Sequence, residues 1–255
     1  MRFAANLTWL FAESPMLERP ALARQAGFDG VEMLFPYDHP LPDWQAALDG
    51  TLVALINTPP GDWAAGERGF AAVPGAEARF RTDFRMALDR AAGLRAERIH
   101  VMAGNAEGAE AEATFRANLV WAASFGHPLT VEPLNRFDMP GYFLNDYDQA
   151  ARILDDLSQP DVGLQFDLWH AARIHGDAAA VWARHAARVS HVQIAGFPNR
   201  HEPGGGGFDL ASFAGGLPAQ GYAGWIAAEY RPARSTLSGL GWLAALRSRN
   251  TLIGD

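Results

Sequence analysis

Short apolar runs alternate with longer amphipathic stretches from one end of the chain to the other. The runs Arg2–Asn6, Gly30–Leu34, Thr51–Asn57, Arg98–Met102, Leu129–Glu132, Val162–Asp167, Val189–Ile194 and Trp225–Glu229 are too short for independent helices. Several are rich in Val, Ile or Phe, so they read as strands. Between them lie the helical stretches Met16–Ala26, Trp44–Leu48, Glu77–Ala92, Ala111–Ser124, Asp146–Leu157, Ala178–Ala187, Leu210–Gln220 and Leu237–Ser248. Ser14, followed by Pro15 and Glu18, reads as a cap with a proline in the first turn. Gly27, Gly93, Gly126 and Gly221 stand where helices should stop. Strict alternation predicts a parallel sheet with helical crossovers. Eight such units in 255 residues match a closed (β/α)₈ TIM barrel, and no linker divides the chain, so one domain over residues 1–255 is expected. A doubly wound open sheet satisfies the same alternation, because periodicity does not report closure.

Three long segments follow strands three, five and seven: Thr58–Pro74, Pro133–Asn145 and Ala195–Phe208. In a parallel α/β fold they leave the C-terminal strand ends, where the active site belongs. The last four strands each carry an oxygen-bearing side chain at or near the C-terminal end: Glu132, Asp167, Gln193 and Glu229. In a barrel these tips converge, and three carboxylates that close would repel and raise one another's pKa unless a cation separates them. The all-oxygen donor set suits a divalent metal, Mg²⁺ or Mn²⁺. Each acid could instead cap the helix that follows its strand.

His170 stands three residues after Asp167 and is expected to point into the same mouth, donating to a substrate oxygen. His100, inside strand four, is either barrel-interior or a contact for Glu132, and Glu32 could support the ligands from behind. Arg136, Arg200 and Arg231 follow the ligand-bearing strands, and their planar forks match a substrate carboxylate. His39, His175 and His185 read as solvated. The run Gly204–Gly207 lacks the strand and lysine of a phosphate loop and reads as a flap.

Composition narrows the chemistry. With no cysteine and no lysine, thiol nucleophiles, zinc–thiolate sites, Schiff-base lysines and lysine-dependent phosphate loops are excluded. A net charge of −8 argues against a nucleic-acid partner. No stretch approaches the ~18 apolar residues of a membrane span. Phe3–Ala12 mimics a signal core but runs into Glu13 without a cleavage site, so a cytoplasmic location is expected. Apolar residues on outer helix faces leave a homo-oligomer open.

Several blocks together resemble the hydroxypyruvate isomerase family, among the xylose isomerase-like barrels. They are Phe3-Ala4-Ala5-Asn6-Leu7, Gly27-Phe28-Asp29-Gly30-Val31-Glu32, Asn57-Thr58-Pro59-Pro60-Gly61-Asp62-Trp63 and His100-Val101-Met102-Ala103-Gly104. Further along come Glu132-Pro133-Leu134-Asn135, Asp138-Met139-Pro140-Gly141-Tyr142-Phe143-Leu144, Arg200-His201-Glu202-Pro203-Gly204 and Glu229-Tyr230-Arg231-Pro232. The resemblance implies a (β/α)₈ barrel and a divalent metal held by Glu132, Asp167, Gln193 and Glu229. It also makes Glu132 and Glu229 the acid/base pair. The implied reaction is isomerisation of a small 2-oxo acid, hydroxypyruvate to 2-hydroxy-3-oxopropanoate first, with 2-dehydrotetronate as the larger alternative. Gly196 replaces an expected Asp, and Gly207 replaces a Glu. Among rivals, a ketose 3-epimerase would have less use for carboxylate-binding arginines, and an endonuclease IV-like nuclease would want more histidines and a basic groove. A non-catalytic binding barrel would need no paired glutamates.

Overall fold

The computed structural model describes residues 1–204 and 208–251. Its eight strands are β1 (Arg2–Asn6), β2 (Gly30–Met33), β3 (Leu52–Asn57), β4 (Ile99–His100), β5 (Leu129–Val131), β6 (Val162–Asp167), β7 (Val189–Ile194) and β8 (Trp225–Ala228). They pair in parallel in chain order, and β8 closes on β1. The sheet is therefore a barrel and not an open doubly wound array.

Nine α-helices surround it among the described residues: α1 (Arg19–Gln25), α2 (Leu41–Leu48), α3 (Glu77–Leu94), α4 (Gly108–Ala123), α5 (Tyr147–Leu157), α6 (Leu168–His175), α7 (Ala178–His185), α8 (Leu210–Gly216) and α9 (Gly241–Thr251). Four begin on an aspartate whose side chain accepts a first-turn N–H: Asp146, Asp167, Asp177 and Asp209. The pattern of the sequence misses α6. Asp167 is both the last residue of β6 and the N-cap of α6, so no turn residues separate strand from helix.

Two expected boundaries are also corrected. Gly93 lies inside α3, which ends at Arg95 in a left-handed conformation (φ 55°). A Cβ at Gly93 would stand 2.4 Å from Leu41 Cδ2, so the leucine side chain would have to shift to admit one. Ser14 caps nothing with its side chain; Pro15 holds the cap position of a short 3₁₀ turn, and the Ser14 carbonyl accepts from Arg19 Nε at 2.9 Å.

Most of the apolar core lies between barrel and helices, as where Phe80 and Phe84 of α3 meet Trp121 of α4 edge-on. The barrel floor is a separate small cluster of Ala4, Ala54, Trp225 and Ala227. Trp225 fills this floor so fully that a Cβ on Gly30 would sit 2.7 Å from its ring. With the floor plugged by carbon, the polar inward positions are all higher, toward the C-terminal mouth. No helix among the described residues is long and apolar enough to cross a membrane.

Candidate active site

The inward-facing residues of the late strands alternate with outward apolar ones. On β6, Gln165 and Asp167 face inward while Phe166 packs outward against Tyr147 and Trp182. A register shift at Leu164/Gln165 sets Gln165 opposite His191 and Asp167 opposite Gln193. Such irregularities re-aim side chains near active sites. Glu132 directly follows β5, and Glu229 directly follows β8. All four predicted ligand positions are buried.

A cavity of about 350 Å³ opens above them. Its polar wall includes Glu132, Glu229, His170 and Arg200, and its apolar wall includes Leu34, Phe35, Trp63, Met102, Leu134 and Met139. The three long loops each contribute: Trp63 from the first, Leu134 and Met139 from the second, Arg200 from the third. Trp63 is packed between the Phe35 ring (5.6 Å) and the Arg68 guanidinium (3.7 Å).

Arg200 Nη2 lies 2.9 Å from Asp167 Oδ2 and 3.2 Å from Glu229 Oε1. Its backbone is held in a left-handed conformation (φ 54°) by an N–H bond to the Gly196 carbonyl. Gly196 sits in the same place: a Cβ there would stand 2.2 Å from the Glu202 carbonyl oxygen, so the expected aspartate does not fit this loop path. The substitution at Gly207, and the flap expected over Gly204–Gly207 beyond Gly204, lie outside the described residues.

Burial drives the Glu132 carboxyl well above its ordinary range, with the Glu229 and Asp167 charges adding to the effect. Burial likewise raises Glu229 and Asp167, although Arg200 opposes both shifts. Burial weakens the Arg200 guanidinium, but Glu229, Asp167 and Glu132 outweigh it and hold the charge above its usual strength. One guanidinium thus serves three buried acids. That imbalance favours a further cation.

Two observations test whether these residues fit a divalent ion. Glu132 Oε1 is buried with no hydrogen-bond partner among the described residues. Glu132, Asp167 and His170 offer atoms within 4.8 Å of one another. The Glu132 and Asp167 oxygens fit. His170 fits less well, because its Nδ1 accepts the Asn135 backbone N–H at 3.0 Å. Burial also pushes its pKa well down. The neutral ring therefore carries its proton on Nε2, 3.7 Å from Asp167 Oδ2, and presents a donor in place of a lone pair.

The amide of Gln193 is fixed from both ends. Its Nε2 donates to Glu32 Oε1 at 2.8 Å, and its Oε1 accepts from Gln165 Nε2 at 2.7 Å. Gln165 Nε2 also donates to Glu132 Oε2 at 2.8 Å, so Gln165 ties Glu132 to Gln193. Glu32, fully buried, further accepts from Asn6 Nδ2 at 2.7 Å and lies 2.8 Å from His191 Nε2. The expected support role of Glu32 has this geometry.

Other predicted residues are dispersed. Arg136 is exposed and donates to Asn145 Oδ1 at 2.9 Å, outside the cavity lining. Arg231 is exposed, with its guanidinium 5.4 Å from the Trp9 ring. His100 lines the cavity with its Nδ1 3.8 Å from Glu132 Oε2. His185, read as solvated, is buried beside Asp148 and stacks on Tyr147. His39 and His175 are partly buried.

Sequence reasoning passed over Trp9, Asn57, Gln165 and His191. Trp9 Nε1 donates to Glu229 Oε1 at 3.1 Å. For Gln165 and His191 a signal existed: each stands two residues before a predicted ligand, on the same face of its strand. Trp9 and Asn57 gave none, because a lone residue in or beside an apolar run does not declare its face.

Comparison with known proteins adds a lineage to this geometry. The family model described as xylose isomerase-like TIM barrel matches residues 20–246. A 2-oxo-tetronate isomerase of Cupriavidus necator is 44% identical over 252 residues, covering 95% of this chain and 97% of that protein. A hydroxypyruvate isomerase of Escherichia coli is 35% identical over 257 residues, covering 97% and 100%. A crystal structure described as AP endonuclease, family 2, from Brucella melitensis superposes with a TM-score of 0.91 at 42% identity, covering 96% of this chain and 98% of that one.

Proposed function

The chain belongs to the xylose isomerase-like TIM-barrel family, and on that premise we propose that this isomerase interconverts the carbonyl and hydroxyl of a small 2-oxo acid by proton transfer between Glu132 and Glu229. The observation that carries the reading is that both glutamates line one cavity, buried, with burial raising both carboxyl pKa values. A carboxylate so poised can take a proton from carbon and return one. Hydroxypyruvate and 2-oxo-tetronate, named in the relatives, are the substrates this cavity is proposed to accept.

The residues take separate roles. One glutamate removes the proton beside the carbonyl, and one of the pair delivers a proton to the neighbouring carbon. His170 Nε2–H donates to the oxygen on which charge develops. Arg200 lines the same cavity, and its buried Nε, without a partner among the described residues, is left for the substrate carboxylate. Trp9 holds Glu229 in place. Trp63 and Met139 wall the reacting carbons from water. Glu132, Asp167, Gln193 and Glu229 would hold a divalent Mg²⁺ or Mn²⁺ ion, which when bound supplies polarisation of the carbonyl oxygen. The nuclease description of the Brucella structure finds no support in a chain of net charge −8.

The test is an isomerase assay on metal-stripped and metal-restored protein, over two- to five-carbon oxo acids and ketohexoses in D₂O. Turnover of a 2-oxo acid that requires the cation and incorporates deuterium is the expected result. Glu132→Gln and Glu229→Gln should each lower kcat by ~10²–10⁴-fold. Near-normal turnover by the double variant, or complete retention of the substrate hydrogen, would overturn the proton-transfer reading.

A further inference from the structure

The sequence singles out Arg136, and the reaction cavity leaves it unused. Its side chain lines a second cavity, of about 510 Å³, between the loop after β5 and helix α6. Arg173 lines that cavity from α6, while Phe137, Asn145 and Asp146 join Arg136 from the loop and its end. Two guanidiniums thus share one cavity in a chain of net charge −8.

Neither guanidinium is neutralised. Arg136 spends its Nε on Asn145 Oδ1 at 2.9 Å, and neither arginine has an ion-pair partner among the described residues. Arg173 has no hydrogen-bond acceptor among them either. Its Nε is buried without a partner, and its guanidinium lies 4.5 Å from the Phe137 ring and 5.6 Å from the Trp169 ring. A guanidinium drawn partly out of water without an acceptor is costly, so an anion beside it is favoured. The nearby acids are engaged elsewhere. Asp146 Oδ1 accepts the Gln149 N–H as the cap of α5, and its Oδ2 lies 3.6 Å from His175 Nε2. Asp138, close enough to feel the Arg173 charge, accepts from Asn135 Nδ2 and Trp169 Nε1 through Oδ2.

The pair of forks selects the anion. A carboxylate presents one edge of two oxygens and fills a single planar fork. A phosphate presents three terminal oxygens and can meet two forks at once. The cavity is larger than a bare phosphate needs, and the Phe137 ring, 73% exposed, offers a surface to attached carbon.

We infer that Arg136 and Arg173 form a binding site for a phosphate monoester, separate from the reaction cavity. The site does not depend on the isomerase reading. Arg136 follows Asn135 directly, and Arg173 lies one helical turn beyond His170 on α6. A phosphate held by both arginines therefore ties the loop that carries Asn135 to the helix that carries His170. It acts beside the bond that already joins that pair.

Calorimetry on the full chain restored with Mg²⁺ tests the site with three probes: glycerol 3-phosphate, inorganic phosphate and glycerate. One glycerol 3-phosphate should bind per chain, with glycerate at least ~10-fold weaker because it fills only one fork. Inorganic phosphate, which has no carbon to lay on Phe137, should bind more weakly than the ester. Arg136→Gln and Arg173→Gln should each weaken the ester by ~10- to 100-fold, the loss of a charge-assisted contact. Arg173→Lys, which keeps the charge without the fork, should retain part of the affinity. Arg200→Gln should leave it unchanged, which separates this cavity from the one that holds the glutamates. No binding at about 10 mM ester would overturn the site. So would undiminished affinity in the R136Q/R173Q double variant, loss of binding in R200Q, or equal affinity for all three probes.

Discussion

The main-chain N–H of Asn135 donates to Nδ1 of His170 across 3.0 Å, and this bond decides what the imidazole offers the cavity. Nδ1 is spent as an acceptor, so Nε2 keeps its hydrogen. Coordination through Nε2 would require the other tautomer, which would set two N–H groups against each other at Asn135.

From this follows a separation of two effects. His170→Ala should lower kcat/KM by ~10²-fold, the loss expected for a donor aimed at developing charge. The dissociation constant for Mn²⁺, measured by calorimetry, should move less than about threefold. A loss of Mn²⁺ affinity comparable with that in Asp167→Asn would show that the ring is a ligand after all.

The buried acids also set the stability of the metal-free protein. Burial raises the carboxyl pKa values of Glu132, Asp167 and Glu229 above their unfolded values. A group raised on folding stabilises fully below its unfolded pKa, ~4 for a carboxyl, and loses that contribution as pH rises through its folded pKa. The Tm of chelator-treated protein should therefore fall from about pH 5 to about pH 8.5. Added Mg²⁺ should raise Tm more at the upper end, because there the acids bind it without losing protons. A metal-free Tm that climbs over this range would contradict the electrostatics described above.

At the opposite end of the barrel, Gly30 meets the Trp225 ring and the Leu52 carbonyl, 2.7 and 2.8 Å from where a Cβ would stand. Neither neighbour is free to retreat, since Trp225 fills the floor and Leu52 is paired in the sheet. Gly30→Ala should cost ~1–3 kcal/mol, as overpacking does. Urea denaturation measures this, and a variant as stable as the parent would show that the floor has slack.

The legible part of the site was the part written at strand ends. Apolar runs that terminate in Glu132, Asp167 and Glu229 announce where the chain leaves the barrel, and closure of the sheet brings those ends together. The arginines were harder, since position after a strand does not fix direction. Arg200 is turned inward by its left-handed backbone and the bond to Gly196, whereas Arg136 goes to Asn145 on the outer surface. The α6 helix was hidden because Asp167 ends the strand and caps the helix at once. Of the two readings available from the sequence, Asp167 shows the cap: Oδ1 accepts the Trp169 N–H, while Oδ2 accepts from Arg200 Nη2. The Gln165 bridge and the Glu32–His191 contact depend on register, which no pattern of single residues encodes.

The central claim is that the acids at the ends of β5, β6 and β8, with Gln193 of β7, gather around one divalent ion. Anomalous diffraction from a crystal soaked in Mn²⁺ tests it most directly. One peak is predicted within coordination distance of Glu132, Asp167, Gln193 and Glu229 together, with the Arg200 guanidinium displaced from Asp167 Oδ2. Full Mn²⁺ occupancy elsewhere, with Arg200 still bridging Asp167 and Glu229, would contradict it.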